Sequence, residues 1–150
     1  MAYPFHAILC PVGFNGNYAG ALSMARRLQI EPGSVIYVLH VIPSLPPHRE
    51  GAFVDVSLEE GARERAARRR LEKLAGEQLG SSNHKLLVAT CETPDHIAES
   101  IINTAQQVRA DVVVMATHGR VGLPHELFGS ITERVVQQSR CPVLTVRLDG

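Results

Sequence analysis

Five short apolar runs rich in β-branched residues recur along the chain: AILCPV (7–12), VIYVLHVI (35–42), KLLVAT (85–90), DVVVMAT (111–117) and PVLTV (142–146). The runs at 7–12, 35–42 and 111–117 are nearly continuously apolar, which is the pattern of strands covered on both faces of a parallel sheet. The segments between them carry helical periodicity. In 17–29, Tyr18, Leu22, Ala25 and Gln29 step round one face with Ala21 and Leu28 beside them, and in 94–108 the stripe is Ile97, Ile101, Ala105 and Val108. The second of these is predicted to open on Thr93 as N-cap, with Pro94 at its first position and Asp95 near its positive end. The segment 57–79 is the most charged. Glu59 with Arg63 and Glu64 with Arg68 stand four apart on a solvated face, while Leu58, Ala62, Leu71, Leu74 and Leu79 supply a buried side. Ahead of it, PSLPPHREGAFVDV (43–56) is a proline-rich connection of the length that functional or mobile loops have.

The element order is therefore β-α-β-loop-α-β-α-β-α-β. Such alternation predicts an α/β fold, an open five-stranded parallel sheet with helices on both faces and right-handed crossovers, formed as one domain over 1–150. Sheets of this kind bind ligands outside the carboxyl ends of their strands, where strand order reverses. Two strands run into glycine-bearing loops at that end, PVGFNGN (11–17) and MATHGRVG (115–122). If those strands are neighbours, their loops line one crevice.

The stretch ATHGRVGLPHELFGSITE (116–133) admits two readings. Gly119 lets backbone approach a ligand with no Cβ in the way, and the helix starting at GSITE offers unpaired N–H groups and a positive dipole end suited to phosphate, with the Ser130 hydroxyl as a further donor. Equally, SITE is S-x-x-E, a capping box in which Ser130 and Glu133 satisfy each other's backbone and need no ligand. Neither a GK[ST] phosphate loop nor a GxGxxG is present.

Composition narrows the remaining classes. The formal net charge is zero, so nothing in the balance asks for nucleic acid or an anionic membrane surface. The opening MAYPFHAILCPV has no basic region or cleavage site of a secretory signal, and no apolar stretch reaches the ~18 residues of a membrane span. Cys10, Cys91 and Cys141 form no CxxC and are expected to be buried thiols in a reducing cytoplasm. The seven histidines include no HxH or HxxxH, so no protein metal site is expected; a Mg²⁺ ion carried by bound phosphates fits better. No nucleophile-base-carboxylate arrangement is evident, so any hydrolysis would be slow.

The stretch 116–130 resembles the C-terminal signature of the universal stress protein family, whose nucleotide-binding members carry G-x-x-G, nine residues, then G-[S/T]. Here Ala116 stands at the first glycine and Gly119 at the second; nine residues (120–128) follow, and then Gly129 and Ser130. ILCPV (8–12), LHVIP (39–43), ADVVVMATHG (110–119) and RCPVLTVR (140–147) are similar to the family's strands, so the likeness spans the chain. It implies strand order 3-2-1-4-5 and an adenine nucleotide such as ATP in the crevice. Phosphate roles fall on Gly119, Gly129 and Ser130, with Ile131 nearby and Arg120 in the same loop. The ribose side falls on Met115, Ala116 and His118, and the adenine contact on the backbone of Val41. The first strand end contributes Pro11, Val12 and Gly13, where relatives place an aspartate at the position of Gly13. The resemblance also implies a homodimer through the last strand, Pro142–Val146, whose edge would otherwise expose unpaired backbone groups. The function it implies is nucleotide-dependent regulation of a protein partner in a stress response in the cytoplasm. Gly13 and Ala116 favour a second reading, a dimeric interaction protein that binds no nucleotide, which the 119/129/130 spacing opposes; a slow nucleotide hydrolase is a third.

Overall fold

The computed structural model describes residues 4–14, 18–44, 56–117 and 129–147. Strands β1 (Ala7–Pro11), β2 (Val35–Pro43), β3 (His84–Cys91), β4 (Val112–Ala116) and β5 (Val143–Val146) form one sheet in the order β3-β2-β1-β4-β5. Every pairing is parallel. Helices α1 (Tyr18–Leu28), α2 (Val56–Leu79), α3 (Ile97–Gln107) and α4 (Ser130–Gln138) alternate with the strands. The expected α/β fold with strand order 3-2-1-4-5 is the one observed, and β1 and β4, whose ends carry the glycine-bearing loops, are neighbours.

The two faces follow from strand alternation. Ile8 and Cys10 of β1, Ile36 and Val38 of β2, and Val112 and Val114 of β4 pack beneath α1 and α2 through Leu22, Ala25, Leu71 and Leu79. Leu9, Leu39, Val113 and Met115 face α3 and α4 through Ile101, Ala105 and Val135. Burial on both faces explains why these strands are continuously apolar. At the lower edge, the Asp111 carboxylate accepts the N–H groups of His6 and Ala7 at 2.8 and 2.9 Å, clamping β4 to the entry of β1. Gln29, which the periodicity placed on the inner face of α1, spans Ser34 and Asn83 by donating to both carbonyls at 2.8 Å.

Three local expectations change. In α2, Leu71, Leu74 and Leu79 are buried, but Leu58 is 69% exposed and Ala62 is also exposed. At 3.6 residues per turn, Leu58 and Ala62 fall on the opposite side of α2 from Ala67, Leu71 and Ala75, so they face solvent while those residues face the sheet. Leu58→Ser is therefore expected to change unfolding free energy by less than about 0.5 kcal/mol in urea denaturation, as at other surface positions. A loss near the several kcal/mol of a buried leucine would place that residue in a core.

Thr93 precedes a single 3-10 turn, Pro94–His96, rather than α3 itself. Its hydroxyl makes no cap bond to backbone but meets Nδ1 of His96 at 2.9 Å. At α4, the N-cap is Gly129, not Ser130, and among the described residues no side chain caps the helix. Ser130 is the first helical residue, so Glu133 falls one place beyond the capping-box position. The Glu133 N–H makes the ordinary helical bond to the Gly129 carbonyl at 3.0 Å.

Candidate functional site

A cavity of about 400 Å³ opens at the carboxyl ends of β1, β2 and β4 and reaches the start of α4. That size is in the range of small-molecule sites, and the place is the switch point where chain order reverses across the sheet. The backbone explains the opening. On β1, the Ala7 carbonyl takes the Asp111 N–H toward β4, while the Val12 N–H donates to Leu39 toward β2. Alternation therefore aims the Pro11 nitrogen at β4, and proline has no N–H to give. The recorded β1–β4 register stops at Leu9↔Val113, and the two strands part above it.

The same alternation orients β2. Val35 donates to His6 of the β1 side, Leu39 accepts from Val12 at 2.8 Å, and the even residues Ile36 and Ser44 donate toward β3. Val41 therefore directs its N–H and C=O past the end of β1, into the space the cavity occupies, as a donor and an acceptor side by side. Pro43 turns its carbonyl the same way, and Nη1 of Arg63 on α2 donates to it at 3.0 Å. Opposite, Ile131 and the buried Thr132 bring the first turn of α4 to the cavity wall. The N–H groups of that turn have no side-chain cap and carry the positive end of the helix dipole.

Of the residues singled out from sequence, Pro11, Val12, Gly13, Val41, Met115, Ala116 and Ile131 all line this one cavity. Gly129 and Ser130 immediately precede Ile131 at the helix start. His118, Gly119 and Arg120 lie outside the described residues, as do residues 45–55 of the proline-rich connection. Sequence reasoning missed Phe14, His40, Arg63 and Thr132, which also line the cavity. The signal for His40 was a lone ring nitrogen pair in an apolar strand. For Arg63 there was none, because its helix reads as solvated until the fold sets it beside the end of β2.

These side chains define the electrostatics. Arg63 is the one lining residue with a fixed charge, and no carboxylate lines the cavity among the described residues. His40 is held below its ordinary pKa chiefly by burial and secondarily by the Arg70 charge, against an opposing hydrogen bond to Val12. Cys10 lies inside the sheet, where burial pushes its thiol up to about 12, so it is inert at neutral pH. Cys91 and Cys141 are half-buried rather than enclosed. Among the described residues no group of three or more His, Cys, Asp or Glu could hold a metal, and no helix is long and apolar enough to cross a membrane.

An open parallel sheet with a crevice at its switch point, between the start of α4 and the end of β2, belongs to the doubly wound α/β class. The family model described as the universal stress protein family matches residues 4–147, and the chain belongs to that family. It is 33% identical over 129 residues to universal stress protein MJ0531 of Methanocaldococcus jannaschii, covering 85% of this chain and 71% of the relative. Among solved structures, protein MJ0577 superposes with a TM-score of 0.77 at 25% identity, covering 98% of this chain and 99% of the other. Two more distant relatives share the fold. The universal stress protein of Archaeoglobus fulgidus in complex with dAMP has a TM-score of 0.57 at 18% identity, covering 95% and 98% of the two chains. A universal stress protein in complex with cAMP has a TM-score of 0.59 at 16% identity, covering 97% and 99%.

Proposed function

We propose that this chain binds an adenine nucleotide, with ATP the leading candidate, in the crevice between β1 and β4, and that occupancy regulates a protein partner. The observation carrying this reading is the start of α4. Gly129 caps it without a side chain, so the amides of Ser130, Ile131 and Thr132 and the Ser130 hydroxyl stand ready for a phosphate group. On the opposite wall, Val41 offers the donor-acceptor pair that suits the N1 and N6 edge of adenine. The dAMP and cAMP complexes of relatives support adenine over other bases. His118, Gly119 and Arg120 complete the phosphate side in this proposal. A Mg²⁺ ion would arrive with the phosphates and be held by them and by water.

Efficient chemistry is not part of the proposal. No carboxylate among the described lining residues is placed to activate a water. The edge position of β5, with Leu144 exposed, supports a homodimer through the last strand. A cytoplasmic setting suits a nucleotide sensor of this kind.

The test is direct. Protein purified without added nucleotide is denatured, and the released small molecules are identified by mass spectrometry. The expected result is an adenine nucleotide in substoichiometric to stoichiometric amount, and adenine-nucleotide binding to the stripped protein by calorimetry. No released nucleotide, together with no heat on titration of ATP, ADP, AMP or cAMP, would leave the interaction-protein reading in its place. Phosphate release in a single turnover separates a slow hydrolase from a binder.

A further inference from the structure

We propose that His40 is a positioning residue of this site: its neutral imidazole holds the Val12–Phe14 wall of the cavity in place, so that ligand affinity falls in acid. The inference rests on the nucleotide reading for its ligand arm only.

Three contacts carry it. Nδ1 of His40 lies 2.8 Å from the Val12 carbonyl oxygen, which can only accept, so Nδ1 carries the proton. This tethers β2 to the first residue beyond β1, next to Gly13 in the cavity wall. The His40 ring also lies 4.1 Å from the Phe14 ring, tilted by 30°. The Arg70 guanidinium of α2 sits 4.0 Å from the centre of the same Phe14 ring. One aromatic ring is thus shared by a permanent cation and an imidazole. Among the described residues, the charged or titratable groups around His40 are the cations Arg70 and Arg63 on α2 and the phenol of Tyr18 on α1, and no lining carboxylate offers a counter-charge.

A proton added to His40 therefore gains no counter-charge among the described residues. The ring sits half-buried, and burial holds its pKa below the ordinary 6.5; the Val12 hydrogen bond opposes that shift and the Arg70 charge adds a smaller part to it. The sign follows from linkage. The freed imidazole binds the proton at the ordinary pKa and the tethered one only at lower pH. The tethered state is therefore fully favoured above about 6.5, loses ground as pH falls through that value, and stops losing below the depressed folded pKa. In acid the ring gives up its place for water, Phe14 loses a neighbour, and the Gly13 segment is no longer held against the cavity.

The probe is cAMP, whose phosphodiester keeps one charge throughout the range and so does not titrate itself. Between about pH 7.5 and about 5.5, wild-type affinity measured by calorimetry is expected to fall about fivefold. His40→Asn keeps a donor where Nδ1 stood but cannot ionise. It is expected to bind within about twofold of wild type at neutral pH and to show no acid loss. A ligand-free arm follows the Gly13 amide by NMR: in wild type it shifts with the His40 titration, and in His40→Asn it does not. An Asn variant that keeps the wild-type acid loss, or a Gly13 amide indifferent to the His40 titration, overturns the proposal. If cAMP binds neither protein at any pH, the nucleotide reading fails, and the ligand-free arm still decides the role of His40.

Discussion

Replacing Ser130 with aspartate is expected to weaken nucleotide binding by roughly thirty- to a hundredfold while leaving the fold as stable as before or slightly more so. The two effects have opposite signs because they come from the same helix end. Ser130 is exposed and is the first residue of α4, where no side chain caps the backbone. An aspartate there meets the positive end of the helix dipole and stabilises the helix by about 0.3–1 kcal/mol. The same carboxylate occupies the space proposed for a phosphate, removes a hydroxyl donor and sets like charges side by side, which costs several kcal/mol in a desolvated site. Thermal unfolding without ligand and calorimetric titration with ATP measure the two terms separately. Unchanged affinity with raised stability would mean that the start of α4 holds no anion. Lost stability would mean that Ser130 serves the fold, and the binding data would then say nothing about phosphate. The binding penalty is also expected to shrink with added salt, as Coulombic terms do.

The sheet was legible because burial on both faces leaves a mark that a half-solvated sheet does not. Ile8, Leu9 and Cys10 in succession, or Val112 to Met115, satisfy no alternation and no helical stripe. Helix α2 was legible as a helix but not in its facing. Leu58 and Ala62 are not in phase with Leu71 at 3.6 residues per turn, whereas Ala67 and Ala75 are. The small alanines, not the first leucine, mark the buried side, so Leu71 is enclosed while Leu58 stands in solvent. At α4 the letters S-x-x-E satisfy the capping-box pattern, yet the helix begins at Ser130 itself. A shift of one residue turns a self-satisfied end into an open one, and no local pattern reports a boundary to one residue.

The crevice was legible at its strand ends, where Pro11, Gly13, Val41 and Ala116 line one cavity, and illegible where it is built by pairs remote in sequence. Val12 with His40, Phe14 with Arg70, and Pro43 with Arg63 each join different elements. Each pair exists only because β1 and β2 are adjacent and α2 crosses above them. The arginines of α2 look like surface charge until that crossing is known. Two of them then prove to serve the crevice, Arg63 at its mouth and Arg70 behind the Phe14 ring.

Gly13→Asp is the converse experiment and is expected to tighten ATP binding about tenfold, the worth of one fixed polar contact. The backbone at Gly13 is outside the left-handed region, and a Cβ built there meets nothing within 4 Å, so the substitution brings neither strain nor a clash. The new carboxylate enters a cavity whose described lining has Arg63 as its fixed charge and no acid to repel it. From the end of β1 it would accept from a ribose hydroxyl or an amino group of the base, the role implied for the aspartate that relatives place there. The start of α4, where the phosphates are proposed to sit, lies across the opening on the β4 side. Adenosine and pyrophosphate therefore separate the halves of the ligand. The expected pattern is a gain for ATP and adenosine and no gain for pyrophosphate. Weaker binding of ATP and pyrophosphate alike would put the phosphates at the β1 end instead, reversing the ligand in the crevice and removing the phosphate role of Gly129 and Ser130.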